Sequence, residues 1–192
     1  MSNLQDVMLE AFSHYSDKSS KHNYHLIYSK TMPESVKNIL EIGLSIDGSN
    51  GNSLNSWRII YPDANVYGID NQQHKLINDN EKIKCLLADQ SSLDDLENVR
   101  KALKNVPFDV IIDDASHQYQ LTINTFEKLF SLLGEGGVYF IEDVSSQGPH
   151  TDPNWSVDGL KKYFDDNKIK YEIYDNTSTN APDSIIFVIR KQ

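Results

Sequence analysis

This sequence predicts a three-layer α/β fold on a mainly parallel sheet, and two observations carry the prediction. Short apolar, β-branched runs recur along the chain and alternate with helical stretches. Several of these runs end in an acid followed by a polar or small-residue loop. Parallel sheets gather ligands beyond the carboxyl ends of their strands, so acids placed there call for a functional reading.

The elements follow in order. Residues 3–15 read as a helix because Leu4, Val7, Met8 and Phe12 share one face. Residues 16–31 are polar and aromatic, and after Pro33 a helix start leads into the first strand, 38–43. Further strands are expected at 65–70, 83–88, 108–113 and 137–142, with helices at about 53–61, 72–79, 92–105 and 119–133. Asp94 and Asp95 early in the third of these helices, and Arg100 and Lys101 late in it, suit the helix dipole. Gly134-Glu-Gly-Gly137 is expected to end the fourth. A helix at about 156–166 precedes strands at 169–175 and 184–190. Joined without a helix, these last two read as an antiparallel hairpin at one edge of a seven-stranded sheet.

The bulk numbers narrow the function. With 192 residues the chain is expected to form a single domain, 1–192. Its net charge of -10 argues against nucleic-acid partners, whose binding rests on basic phosphate contacts. No apolar run has the length of a membrane span, and the first residues show no basic region followed by an apolar one. The lone Cys85, expected to be a buried strand residue, leaves no intramolecular disulfide, which fits a cytoplasmic protein.

Two acidic clusters carry the chemistry. Asp113-Asp114-Ala-Ser-His117 follows one strand and Glu142-Asp143 follows the next. Converging beyond the sheet, Asp114, Glu142 and Asp143 suit a hard divalent cation. His117 stands where it can take a proton beside that metal. This pattern reads as a metal-assisted transferase site. The bland alternative for the three acids is capping and loop solvation, for Asp113 a cap or a supporting partner, and for His117 a surface histidine at a helix start.

Three earlier strand ends point to a cofactor. Gly43 opens a small-residue loop running through Gly48 and Gly51 to Ser53, where backbone can approach a ligand closely. Asp70 closes the second strand at the place where doubly wound folds set an acid on a ribose diol. Asp89 closes the third and is followed by Gln90. Together these favour an adenosine-containing cofactor. NAD is disfavoured because G-x-G-x-x-G is absent, and ATP because no phosphate-binding G-x-x-x-x-G-K-[ST] occurs.

Glu41-Ile-Gly43, Gly51-Asn-Ser-Leu-Asn-Ser-Trp57, Tyr61-Pro62, Val66-Tyr-Gly-Ile-Asp70, Ala88-Asp-Gln-Ser91, Ile112-Asp-Asp-Ala-Ser-His117 and Gly136-Gly-Val-Tyr-Phe-Ile-Glu-Asp143 resemble a known family. They look like class I S-adenosylmethionine-dependent methyltransferases, and most like the magnesium-dependent sugar O-methyltransferases of macrolide and related biosynthesis. Asp17-Lys18, His22, Tyr24 and Tyr28 resemble the stretch that precedes the cofactor domain in such enzymes. The resemblance covers roughly residues 15–145.

It implies a Rossmann-like domain binding S-adenosylmethionine and Mg2+. The expected cofactor set is Glu41, Gly43, Ser53, Asp70, Asp89, Gln90 and Asp113. The metal set is Asp114, Glu142 and Asp143, and the catalytic residues are His117 as base with Asp114. Residues 1–32 form an N-terminal helix and a segment covering cofactor or substrate; for His22 and Tyr24, closing over the site is one of two readings, beside ordinary packing. The acceptor is a hydroxyl of a sugar or glycosylated small molecule. Tyr139 and Trp57 read as packed residues; Trp155 reads equally as packed or as stacking on a sugar face.

The sequence departs from the family in places. The loop from Gly43 to Gly51 looks longer than the family's glycine turn, and Asn52 stands where a second glycine is common. Leu121 replaces a histidine that some relatives carry. The large N-terminal auxiliary domain of the macrolide enzymes is expected to be missing, leaving a more open acceptor pocket. Alternatives stay open: a catechol-type metal-dependent O-methyltransferase, a non-catalytic cofactor-binding protein, or other metal chemistry such as hydroxylation. Pairing of two copies through an exposed aromatic segment at 15–28 is a further expectation.

Overall fold

A computed structural model describes residues 3–44, 52–72, 81–146, 151–178 and 180–192. All but the first residue of the expected helix at 72–79, and most of the glycine loop, 45–51, lie outside the described residues.

Seven strands form one sheet: β1 (Asn38–Ile42), β2 (Asn65–Asp70), β3 (Ile83–Leu87), β4 (Phe108–Asp113), β5 (Leu133–Val144), β6 (Glu172–Asp175) and β7 (Ile185–Arg190). Their order is β3-β2-β1-β4-β5-β7-β6. β1 to β5 pair in parallel, and β7 runs antiparallel to both β5 and β6. The expected edge hairpin is therefore present, with β7 as its inner strand.

Helices cover both faces. On one side lie α1 (Leu4–Tyr15), α2 (Asp17–Ser20), α3 (His25–Thr31) and α4 (Asn52–Ile60), with Met8, Phe12, Tyr28 and Trp57 packed on Ile39, Val110 and Phe140. On the other lie α5 (Leu93–Leu103), α6 (Tyr119–Leu129) and α7 (Val157–Asp166), with Leu96, Phe126 and Phe164 packed on Ile111, Tyr139 and Phe187. Strand residues alternate between these two cores because successive side chains point to opposite faces.

Local sequence explains the helix starts. Asn3 caps α1, Ser92 caps α5 and Ser156 caps α7, each side chain accepting from a backbone N–H of the first turn. Met8, Ala11 and Phe12 form the buried stripe of α1. Asp94, Asp95, Arg100 and Lys101 occupy the expected ends of α5.

Four local expectations change. No helix starts directly after Pro33; α2 and α3 precede it, each too short to show a periodicity. Gly134 to Gly137 belong to β5 rather than to a helix end, because α6 stops at Leu129 and a 3-10 turn, Phe130–Leu132, leads directly into the strand. Cys85 is only partly buried; even so, burial pushes its thiol up to about 11. Finally, Tyr24 and Tyr28 are packed inside the chain, so the 15–28 segment is not an exposed aromatic surface.

The β5–β7 pairing has an irregularity that matters below. Ile141 pairs with Phe187 and Val144 pairs with Ile185, so Glu142 and Asp143 stand opposite Ile186 alone.

Candidate active site

The carboxyl ends of β1, β2, β4 and β5 meet at a cavity of about 650 Å³. Its lining includes Gly43, Ser53, Asp70, Asp89 and Gln90 on one side, and Asp114, Ser116 and Asp143 on another. Ser16, Asp17 and Lys18 of the N-terminal segment close part of it.

Gly43 has to be glycine. Its φ is +86°, and a Cβ would meet the Asp114 carbonyl oxygen at 2.2 Å. This close approach of β1 and β4 sets the cavity floor, where Gly43 N–H donates to Ile69 O and Asp114 N–H to Ile42 O, both at 2.9 Å. Asp70 Oδ2 accepts from Leu44 N–H at 2.9 Å and Oδ1 from Gln72 N–H at 2.8 Å, so this acid shapes its own turn as well as lining the cavity. Asp89 Oδ1 accepts from Ser91 N–H at 2.7 Å, and hydrogen bonding from the Ser91 side chain and then its backbone lowers the Asp89 pKa.

Two members of the expected cofactor set lie beneath the lining. Glu41 is fully buried and accepts from Trp57 Nε1 at 3.0 Å. Trp57 is thus a packed residue, as expected. Asp113 is buried on the opposite face, where Gln90 Nε2 donates to it at 3.1 Å and the Tyr139 hydroxyl at 3.4 Å. Burial pushes Asp113 up to about 7, against the opposing pull of His117 and Gln90. Gln90 also accepts from Ser116 N–H at 3.2 Å. It therefore ties the β3 end to the loop that carries His117.

The acidic centre forms from the next two strands. Asp114, His117 and Asp143 each offer a ligand atom, all within 4.8 Å of one another. His117 Nε2 lies 3.3 Å from Asp114 Oδ1 and 4.0 Å from Asp143 Oδ2. Burial lowers the imidazole pKa, but the bond to Asp114 and the charges of Asp114, Asp143 and Asp113 more than offset it, so the net shift is upward. Oxygen ligands with one nitrogen fit a hard divalent cation.

His117 and Asp143 both hold left-handed backbone conformations, with φ of 51° and 54°. Such angles are strained for residues other than glycine. Trp155 braces both: its ring stacks on His117, and its Nε1 donates to the Asp143 carbonyl at 3.1 Å. Trp155 is buried, so of its two readings the packed one describes this conformation. Tyr24 holds the Asp143 side chain, its hydroxyl donating to Oδ1 at 2.8 Å.

Glu142 sits deeper, with the Tyr28 hydroxyl on one oxygen and Lys18 Nζ 2.5 Å from the other. Sequence reasoning missed Lys18. The resemblance included it, but nothing in a single lysine signals complete burial, since lysines rarely lie inside. His22 packs flat on Tyr24, with Nδ1 2.8 Å from Ser184 Oγ, so of its two readings the packed one describes this conformation.

No protein-family model matches the chain. It is 30% identical to an 8-demethyl-8-alpha-L-rhamnosyl tetracenomycin-C 2'-O-methyltransferase of Streptomyces olivaceus, over 81% of this chain and 44% of that protein. It is 33% identical to the mycinamicin VI 2''-O-methyltransferase of Micromonospora griseorubida, over 49% of this chain and 23% of that protein. The chain thus spans less than half the length of these curated relatives. Among solved structures, the MycE methyltransferase of the mycinamycin biosynthetic pathway, in complex with Mg, SAH and mycinamycin VI, superposes with a TM-score of 0.73. That match has 23% identity and covers 99% of this chain and 54% of the other. The chain has the Rossmann-like fold of class I S-adenosylmethionine-dependent methyltransferases and is similar in sequence to the sugar O-methyltransferases of macrolide and tetracenomycin biosynthesis.

Proposed function

We propose that the protein transfers a methyl group from S-adenosylmethionine to a hydroxyl of a sugar or glycosylated small molecule, with Mg2+ bound beside the acceptor. The observation that carries this reading is the placement of Asp114 and Asp143, with His117 Nε2 3.3 Å from Asp114, at the cavity that Gly43, Asp70, Asp89 and Gln90 also line. The relatives' activities, O-methylation of a rhamnosyl tetracenomycin and of mycinamicin VI, support the acceptor class.

Asp70 and Asp89 offer acceptors to the ribose and adenosine part of the cofactor, and the glycine turn at 43 admits its backbone-side approach. Asp114 and Asp143 hold the cation, with Glu142 behind them. A bound divalent ion lowers the pKa of an acceptor hydroxyl and orients it. His117 accepts the hydroxyl proton at Nε2, the nitrogen turned toward Asp114 and Asp143. The N-terminal segment, through Ser16 to Lys18, excludes water from one side of the cavity. The reading also places the protein's work in the cytoplasm. Among the described residues, no helix is long and apolar enough to cross a membrane.

The test is calorimetric titration of S-adenosylhomocysteine with and without Mg2+, followed by methyl transfer to glycosides and to catechols. Cofactor binding with Mg2+-dependent transfer to glycosides supports the reading. Transfer confined to catechols replaces the acceptor class, binding without transfer to either class leaves a cofactor-binding protein, and no binding removes the reading.

A further inference from the structure

Lys18 is 1% exposed and stands among three carboxylates. Its Nζ lies 2.5 Å from Glu142 Oε2, 2.6 Å from Asp114 Oδ2 and 3.3 Å from Glu41 Oε1. These acids come from β1, from the loop after β4 and from β5, so one ammonium joins three parts of the sheet. An ammonium has three donors and no acceptor; two are spent on hydrogen bonds to Asp114 and Glu142, and Glu41 is held as an ion pair. The second oxygen of Glu142 takes the Tyr28 hydroxyl, so both of its oxygens are engaged. Asp114 is shared: Oδ2 turns inward to Lys18, and Oδ1 turns outward toward His117.

We propose that Lys18 is a built-in counter-cation of the acidic centre. Its ammonium occupies the inner half and confines a divalent ion to the outer position, between Asp114 Oδ1 and Asp143 Oδ2, with His117 Nε2 beside it as the base. In this arrangement Glu142 serves the lysine and not the ion, a change of one residue from the set that the sequence suggested. The inference rests on the metal reading given above. Its physical basis is that buried carboxylates without a counter-charge are costly. The ammonium keeps the cluster formed before any ion arrives, which makes Lys18 a positioning residue.

The experiment is Mn2+ titration of the full chain, followed by calorimetry and electron paramagnetic resonance. Wild type is compared with Lys18→Met and Glu142→Gln. Lys18→Met is expected to bind Mn2+ at least about 10-fold tighter, or to take up a further equivalent, because the competing ammonium is gone. Glu142→Gln is expected to stay within about 3-fold of wild type. Unchanged or weaker Mn2+ binding by Lys18→Met overturns the proposal, as does a loss of about 30-fold or more in Glu142→Gln. If Lys18→Met folds only with Mn2+, the ion has replaced the ammonium and the proposal stands; if it folds in neither condition, Glu142→Gln decides. The two readings separate in wild type. Binding of Mn2+ by Lys18→Met alone removes the metal reading and leaves the ammonium as the centre's sole cation, whereas binding by neither protein overturns both.

Discussion

The ring of Trp155 lies on that of His117, with centroids 5.7 Å apart and planes inclined by 11°. The same indole donates to the Asp143 carbonyl, so one side chain braces two residues with positive φ. Trp155→Phe keeps a ring but removes the N–H donor. Its methyl-transfer kcat is expected to fall about 10-fold, matching loss of one hydrogen bond of about 1 kcal/mol plus altered positioning. Trp155→Leu is expected to fall further, with KM for S-adenosylmethionine nearly unchanged in both. Steady-state kinetics checks this, and an effect on cofactor KM alone refutes the bracing role.

His117→Ala removes the proposed base while leaving the cofactor side of the cavity intact. Methyl transfer is expected to drop about 10²- to 10⁴-fold, the usual worth of a positioned general base. Binding of S-adenosylhomocysteine should stay within a factor of about 3 of wild type. Single-turnover kinetics beside calorimetry reads both, and near-normal turnover would reassign the base.

Gln90 connects the β3 end to Asp113 and to the backbone of Ser116. Gln90→Leu leaves Asp113 without its amide donor and frees Ser116 N–H. Both cofactor affinity and turnover are expected to fall, each by about 10-fold, or about 1.4 kcal/mol. If only one of the two moves, Gln90 does not link the cofactor side to the His117 loop.

Gly43→Ala forces a Cβ against the Asp114 carbonyl at a left-handed φ. The backbone there cannot yield without separating β1 from β4. A destabilisation of about 3 kcal/mol or more follows, which lowers Tm by roughly 6–12 °C for a chain of this size. Scanning calorimetry measures it, and an unchanged Tm would mean that the two strand ends part easily.

His25 supplies a pH dependence away from the acidic centre. Burial lowers its imidazole pKa, and its Nδ1 is buried without a hydrogen bond. With the folded pKa below the ordinary 6.5, the unfolded chain takes up a proton that the folded chain refuses as pH falls. The stability contribution is therefore complete above about pH 6.5 and declines below it, at up to about 1.4 kcal/mol per pH unit, until the folded group protonates too. Between pH 8 and 5, Tm of His25→Gln is expected to fall less steeply than that of wild type. Parallel melting curves would contradict this.

What the sequence showed depended on whether a residue's role was local. Runs such as Val110 to Ile112 and Val138 to Ile141 announced buried parallel strands through composition alone, and acids at their ends marked the ligand side. Helices α2 and α3 stayed hidden because Asp17–Ser20 is too short for a periodicity and Tyr24 and Tyr28 are buried by distant partners. Lys18 stayed hidden for the same reason: its burial follows from acids on three separate strand ends, with nothing in its neighbours to show it. Glu41 entered through the family resemblance alone, and the indole of Trp57 that it accepts from was not legible as its partner.

The extra residue in β5 has an outcome that its composition does not. In an even strand, neighbouring side chains leave on opposite faces, and Glu142 and Asp143 would be separated by the sheet. With two residues set against Ile186 and a left-handed turn at Asp143, both acids meet the N-terminal layer, Glu142 at Tyr28 and Asp143 at Tyr24. A Glu-Asp dipeptide is thus a common pair of letters that becomes a paired acid only through a miscount between two strands. Inserting one residue into β7 beside Ile186 would return the ladder to regularity and send one carboxylate to the wrong side, with every charge in the chain's centre still encoded.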